Sequence, residues 1–195
     1  MSESLCSSGG IFQAPHGRVH GNRMPTLVPS HGFTADQTVW HDVVPFFACF
    51  FKVVVYDLAF VHQSGHLKLK RSICVGHSMS AVIGCLAAIR RPDLFKRLVR
   101  LSGSPRYLNA KGYTGGFDEP AIGLDTPMNA CKLLGNNMSA LTEFEHSLGR
   151  IEPEIAVTVA EILSDLKWAL LEVLVPRSVV QSRKDVVVRH RSFIA

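Results

Sequence analysis

The six residues VGHSMS at positions 75–80 constrain the fold of this chain more than any other feature of its sequence. They follow an apolar run, Ile73 to Val75, that is typical of a buried strand. Apolar residues then recur at helical spacing, at Met79, Val82, Ile83, Leu86 and Ala87. A sharp turn from strand to helix around a Gly-x-Ser sequence holds the serine side chain above the edge of a sheet, where it can act as a nucleophile. We therefore predict a nucleophile elbow with Ser78 at its tip.

A serine hydroxyl attacks a carbonyl efficiently only beside a base and beside donors for the oxyanion that forms. The helix after Ser78 would supply one donor, the backbone N–H of Met79. The His-Gly-Phe loop after the first apolar run would supply a second, the N–H of Phe33. The same residues also fit a structural junction in which Ser78 caps the helix and His31 bonds to the backbone, so this alternative stays open.

Asp185 ends the run QSRKD, which follows the apolar pair Val179-Val180. A carboxylate at the end of a strand can orient a catalytic histidine, and Ser before Asp before His is the chain order of hydrolases with an elbow of this kind. An aspartate in this position is also a common turn residue. Its assignment as the acid of a triad therefore depends on where its strand lies in the sheet.

The rest of the chain predicts an α/β fold. Five short apolar runs are typical of buried parallel strands: Thr26-Leu27-Val28, Val53 to Tyr56, Ile73 to Val75, Leu98 to Leu101 and Val179-Val180. Pro29 should weaken the first run, and Pro92 should end the helix that follows Ser78. A second helix is predicted over residues 154–167. Strands that alternate with helices indicate a mostly parallel sheet with flanking helices.

Length and composition narrow the class further. A chain of 195 residues suits one domain, and the Ser- and Gly-rich residues 1–25 are expected to form a loose leader. No secretory signal or spanning segment is visible, so a soluble intracellular protein is expected. Five cysteines without a CxxC pair suit reduced thiols. The net charge of +5 lacks the interleaved aromatics of a nucleic-acid site, and we expect no nucleic acid, membrane, metal or cofactor as a partner.

These motifs together resemble the plant strigolactone and karrikin receptor family of α/β-hydrolases, to which the bacterial regulator RsbQ also belongs. The matching stretches are HGFTADQ at 31–37 with Trp40, VGHSMS at 75–80, RPDLF at 91–95, SPRY at 104–107, GGF at 115–117 and QSRKD at 181–185. The resemblance implies an α/β-hydrolase domain with a helical lid over an apolar pocket.

The family pattern implies a role for each matching residue. Ser78 would be the nucleophile and Asp185 the triad acid, while the N–H groups of Phe33 and Met79 would form the oxyanion hole. Phe33, His77 and Phe117 would line the ligand pocket. The ligand would be a small apolar butenolide that is cleaved slowly, and F-box and repressor proteins in the cytoplasm and nucleus would be partners.

The chain also departs from the family. The family places its catalytic histidine in a Gly-His turn after one further strand, whereas the histidine after Asp185 here is His190, between two arginines. We therefore expect residues 26–195 to form an incomplete hydrolase domain that lacks the C-terminal strand and helix, with a shortened lid insertion at about 117–170. Catalysis should be weak. A non-enzymatic ligand- or protein-binding signalling module, or a non-functional truncated product, are the alternatives.

Overall fold

The computed structural model describes residues 17–33, 35–58, 69–104, 111 and 169–183. The strands in this part of the chain are β1 (Gly17–His20), β2 (Thr26–Ser30), β3 (Lys52–Tyr56), β4 (Ser72–His77), β5 (Phe95–Leu101) and β6 (Arg177–Val180). The α-helices are α1 (Val44–Ala48) and α2 (Met79–Arg90), and short 3-10 helices span Gln37–Trp40, Pro92–Leu94 and Ala169–Glu172. None of the helices described is long and apolar enough to cross a membrane.

The strands described form one sheet in the order β1-β3-β2-β4-β5-β6. β1 runs antiparallel to β3, and the other neighbouring strands run parallel to each other. Parallel strands end at the same edge of a sheet. His77 at the end of β4 pairs with Leu101 of β5, and Leu101 pairs with Val180 of β6. The residues that follow these three strands therefore leave the sheet side by side.

All five predicted apolar runs lie in strands, which confirms the mostly parallel α/β class. Pro29 lies inside β2, where it has no N–H to donate to a neighbouring strand. The pairing of β2 with β3 covers only Thr26 and Leu27, whereas the pairing with β4 continues through Ser30. The β2–β3 ladder thus ends before the proline, and β2 keeps its place in the sheet through β4.

The core lies on both faces of the sheet because side chains alternate along each strand. On one face, Cys74 of β4 packs with Cys85 and Ala88 of α2. On the other face, Val75 packs against a cluster that contains Val44 of α1. The sheet is therefore covered by α2 on one side and by α1 on the other.

Helix α2 begins directly after Ser78 and ends at Arg90, two residues before Pro92, as the sequence predicts. Its fully buried side chains include small residues: Ser80, Ala81, Cys85 and Ala88. The larger Ile83 and Leu86 of the predicted apolar stripe are only half-buried. Small side chains on the inner face let the helix lie close to the sheet.

The loose leader predicted for residues 1–25 is wrong for Gly17–His20, which form strand β1 and pair with β3 from Gly17 opposite Tyr56 to His20 opposite Val53. Backbone pairing with an adjacent strand supplies order that the side chains of this segment do not predict. The helix predicted at 154–167 lies outside the described residues. So does the lid predicted at about 117–170, except for residues 169 and 170, which belong to the 3-10 helix Ala169–Glu172. The domain boundary and the incomplete C-terminal part stay predictions.

Candidate active site

Ser78 lies at the tip of the turn between β4 and α2 and has a strained backbone. Its φ is +51° and its ψ is −117°, a combination that a residue with a Cβ rarely adopts. The Ser78 N–H donates to the carbonyl of Leu101 at 2.8 Å, and the Ser78 carbonyl accepts from the N–H of Ala81 at 3.0 Å. The neighbouring strand and the first helical turn therefore hold the serine in this conformation, and its side chain is half-buried rather than enclosed.

Two glycines explain the spacing of the sequence around the serine. A Cβ on Gly76 would lie 2.5 Å from the carbonyl carbon of Ser80 and 2.6 Å from the nitrogen of Ala81, both backbone atoms. A Cβ on Gly32 would lie 2.8 Å from Nδ1 of His77 and 3.3 Å from Cβ of Ser78. Gly76 thus lets the helix turn back over its own strand, and Gly32 lets the loop after β2 lie directly against the nucleophile position.

His31 begins that loop and is buried, with both ring nitrogens bonded to the main chain. The Leu58 N–H donates to Nε2 at 3.0 Å, so Nε2 carries no proton. Nδ1 therefore carries the proton and donates to the carbonyl of Gly32 at 2.8 Å. This neutral tautomer orients the loop, and with both nitrogens engaged His31 is not available as the base for Ser78.

Ser80 makes a contact that the sequence pattern does not predict. Its side chain is only 1% exposed, and its hydroxyl donates to the carbonyl of His31, 49 positions earlier in the chain. This residue replaces the last glycine of the usual Gly-x-Ser-x-Gly signature. The small size of serine explains why it can replace glycine at this position. Its hydroxyl does something that glycine could not, because the hydrogen bond ties the first turn of α2 to the loop after β2.

The far end of the same loop is tied to β3. The carboxylate of Asp57, just after β3, accepts from the backbone N–H of Gln37 at 2.8 Å and from its Nε2 at 3.0 Å. Between these two ties, the half-buried side chain of Phe33 packs against a cluster of Met79 and Val82 on α2. The loop is therefore anchored at both ends and packed against the helix in between.

No protein-family model matches the chain. Relatives do match: Karrikin insensitive 2 receptor CA of Petunia hybrida is 33% identical over 92% of this chain and 81% of that protein. A probable esterase of Oryza sativa subsp. japonica is 36% identical, again over 92% of this chain and 81% of that protein. A strigolactone esterase of Arabidopsis thaliana is 31% identical over 93% and 82%. The chain belongs to the strigolactone and karrikin receptor family of α/β-hydrolases.

Solved structures support the fold of this family member. A hydrolase from Oleispira antarctica matches with a TM-score of 0.80 at 21% identity, over 90% of this chain and 79% of that one. A hydrolase from Pseudomonas aeruginosa matches with a TM-score of 0.72 at 18% identity, over 90% and 78%. The α/β-hydrolase fold predicted from the sequence is therefore confirmed.

Four of the residues predicted for the site of this family member lie in the described part of the chain. Ser78 and Met79 form the elbow, exposed His77 precedes it, and Phe33 follows Gly32, where an added Cβ would lie 3.3 Å from Cβ of Ser78. Met79 is the first residue of α2, so its N–H has no preceding helical carbonyl to bond. The structure brings these residues together, while their catalytic and ligand-binding roles stay predictions.

Asp185 and Phe117 lie outside the described residues. The strand that leads toward Asp185 is described, and it ends in register with the elbow: Leu101 pairs with Val180, and the Ser102 N–H donates to the Val180 carbonyl at 3.0 Å. Residues 181–183, which follow β6, therefore leave the sheet at the same edge as Ser78.

Below the elbow, two titratable groups of this family member are held in their neutral forms. Burial raises the pKa of the Tyr56 hydroxyl to about 12, and that hydroxyl shares a 2.8 Å hydrogen bond with Ser30. Burial likewise raises the pKa of the Cys74 thiol to about 12. Because a protonated thiol is not a nucleophile, we assign no reaction to Cys74. Its buried side chain is part of the core. Across the part of the chain described here, no group of three potential metal ligands lies together.

Proposed function

We propose that this protein is a receptor-type serine hydrolase that binds a small apolar butenolide and attacks it slowly with Ser78. The single observation that carries the proposal is the elbow itself, with Ser78 at φ +51° and the neighbouring loop so close that a Cβ added to Gly32 would lie 3.3 Å from Cβ of Ser78. A strained serine between a strand and a helix, with a second loop pressed against it, is the arrangement that acyl transfer requires.

In the proposed reaction, the Oγ of Ser78 attacks the carbonyl carbon of the ligand and a new C–O bond forms. The N–H groups of Phe33 and Met79 stabilise the oxyanion. The C–O bond to the leaving group then breaks, and the proton from the Ser78 hydroxyl ends on the leaving alkoxide. Water later cleaves the acyl-serine and yields the carboxylic acid.

We propose that Asp185 is the triad acid and that catalysis by these 195 residues is slow. His190 is five positions after Asp185 on the same segment, whereas a base must approach Ser78 from a separate loop. A serine hydrolase without a complete triad retains roughly 10³–10⁴-fold acceleration over water, from the oxyanion hole and binding alone. Ligand binding can therefore persist where turnover is poor.

Binding to a butenolide is proposed from family membership together with Phe33 and His77, which lie beside the elbow, and Phe117, which matches a pocket position of the family by sequence. On the same ground we propose that the ligand-bound form recruits F-box and repressor proteins in the cytoplasm and nucleus. A binding module without hydrolysis is the second candidate, favoured by the position of His190, five residues after Asp185 on the same segment and between two arginines. The test is a thermal shift. If a butenolide raises the melting temperature of Ser78→Ala as much as that of the original protein, the result supports the binding role alone.

Covalent labelling with a fluorophosphonate tests the nucleophile directly. We expect one adduct, mapped by mass spectrometry to Ser78 and absent in Ser78→Ala. Ser102→Ala is the matched control, because Ser102 is also a half-buried serine with positive φ, +48°, at the end of the adjacent strand. The control should label like the original protein. Labelling of other serines only, or none in folded protein, would overturn the proposed nucleophile.

Turnover of a fluorogenic butenolide ester tests the rate. We expect release of the fluorophore that depends on Ser78 and falls well below the range of about 1–10³ per second typical of enzymes. Turnover within that range, abolished by Ser78→Ala, would contradict the slow-catalysis part and leave the nucleophile assignment intact.

A further inference from the structure

The loop that carries the Phe33 N–H is oriented through its peptide planes. A trans peptide unit is planar, so its C=O and the N–H of the next residue point in opposite directions. The Gly32 carbonyl and the Phe33 N–H belong to one such unit. The Gly32 carbonyl accepts from Nδ1 of His31 at 2.8 Å and, over a longer distance, from the Ala35 N–H at 3.4 Å, so the shorter bond from the His31 ring mainly sets the direction of the Phe33 N–H.

The His31 residue is itself held from two sides. The Leu58 N–H fixes the ring through Nε2 at 3.0 Å. The Ser80 hydroxyl fixes the backbone by donating to the His31 carbonyl, which belongs to the peptide unit just before the one that carries the Phe33 N–H. Ser80 and His31 are both buried, so water does not compete for this hydrogen bond.

We propose that Ser80 is a positioning residue whose hydroxyl, acting through His31, aims the Phe33 N–H at the oxyanion formed on Ser78. This inference rests on the proposed function, because the oxyanion arises only if Ser78 is the nucleophile. Ser80 lies in the first turn of α2, two residues after Ser78, and so the same helical turn carries the nucleophile, one oxyanion donor and the group that orients the other.

The chain offers a matched control at the other end of β4. Ser72 is 0% exposed, and its hydroxyl donates to the Leu94 carbonyl at 2.8 Å. Ser72→Ala and Ser80→Ala therefore each remove one buried hydroxyl that donates to a carbonyl. Both variants should lower the melting temperature by similar amounts, and only Ser80→Ala should change the loop beside Ser78.

The test measures how the rate of fluorophosphonate labelling depends on probe concentration. The phosphoryl oxygen of this probe occupies the oxyanion hole. Removing an oxyanion donor outright costs about 10²–10³-fold in rate, and misaiming one should cost less. We expect Ser80→Ala to lower the maximal labelling rate of Ser78 by about 10- to 100-fold with half-saturation unchanged. Ser72→Ala should label at the original rate. An equal rate for the two variants, or a change in half-saturation alone, would overturn the proposal.

Amide hydrogen exchange gives a second measurement that needs no reaction. We expect the Leu58 N–H to exchange at least tenfold faster in Ser80→Ala than in Ser72→Ala, because the His31 ring loses its fixed position. Equal exchange in the two variants would overturn the positioning role. If the original protein takes no label at Ser78, the proposed function fails, and the exchange of Leu58 still decides whether Ser80 orients the loop.

Discussion

Replacing Gly76 by alanine tests whether the close approach of α2 to β4 builds the elbow. The added Cβ would lie 2.5 Å from the carbonyl carbon of Ser80 and 2.6 Å from the nitrogen of Ala81. Real Cβ atoms do not approach other atoms so closely. Because both atoms belong to the backbone, no rotation of a side chain can relieve the overlap, and the first turn of α2 must move away from the strand.

A shift of packed backbone costs more than a crowded side chain. Overpacking a core typically costs 1–3 kcal/mol, and we expect Gly76→Ala to reach the upper end, about 3 kcal/mol of unfolding free energy. For a chain of 150 to 250 residues, 1 kcal/mol changes the melting temperature by about 2–4 °C, so the expected drop is about 6–12 °C. Labelling of Ser78 should also fall, because Ser78 and Met79 move with the helix.

Gly84→Ala is the matched control. Gly84 lies within α2, and among the residues described the atom that its Cβ would crowd is Sγ of Cys74 at 3.1 Å, the end of a side chain. Alanine gains about 1 kcal/mol of helix propensity over glycine, which offsets that crowding. Urea unfolding followed by circular dichroism should place Gly84→Ala within about 1 kcal/mol of the original protein. If Gly76→Ala proves as stable as Gly84→Ala, the close approach is not what shapes the elbow.

Two further predictions concern the core. Burial raises the pKa of Tyr56 and Cys74 to about 12 from the ordinary 10.0 and 9.0, so the unfolded chain loses these protons first. The stability is therefore fully present below about pH 9 and falls as the pH rises toward 12, by up to about 1.4 kcal/mol per pH unit for each group. Urea unfolding from pH 7 to 11 measures how the free energy of unfolding falls with pH. This fall should be smaller in the double variant Tyr56→Phe, Cys74→Ala than in the original protein, and an equal fall would contradict the prediction. Val53 is 0% exposed, and Val53→Ala should lower the free energy of unfolding by about 2–3 kcal/mol. Val179 is 46% exposed, and Val179→Ala should lower it by less than about 0.5 kcal/mol in the same assay. Equal losses at the two valines would contradict the described core.

The central strands β2 and β3 could be predicted because they are buried on both faces. All five residues of β2 are buried, and Val53, Val54 and Val55 are buried in succession in β3. Strands of this kind have continuous apolar sequences, which makes them easy to recognise. β1 has one apolar side chain, Val19, and its order comes from pairing with β3, which no local pattern shows.

The candidate site divides in the same way. The elbow and the His-Gly-Phe loop could be found because turns and helix starts demand particular residues at fixed spacing, as Gly76 and Gly32 show. The contact between Ser80 and His31 could not, because it depends on how two segments 49 residues apart meet in the sheet. The glycine signature even conceals it, since a small residue at position 80 satisfies that pattern whether or not it carries a hydroxyl.

The strain at Ser78 explains why the elbow and the loop form one unit. A backbone with φ +51° and ψ −117° costs about 1–3 kcal/mol. Three hydrogen bonds surround it, from Ser78 to Leu101, from Ala81 to Ser78 and from Ser80 to His31, and each contributes about 1 kcal/mol. Their sum, about 3 kcal/mol, equals the upper end of that strain. The first of these bonds ties the nucleophile to β5 and the third ties its helix to the loop after β2. The contacts that hold Ser78 in its strained conformation therefore also fix the position of the proposed oxyanion donor beside it.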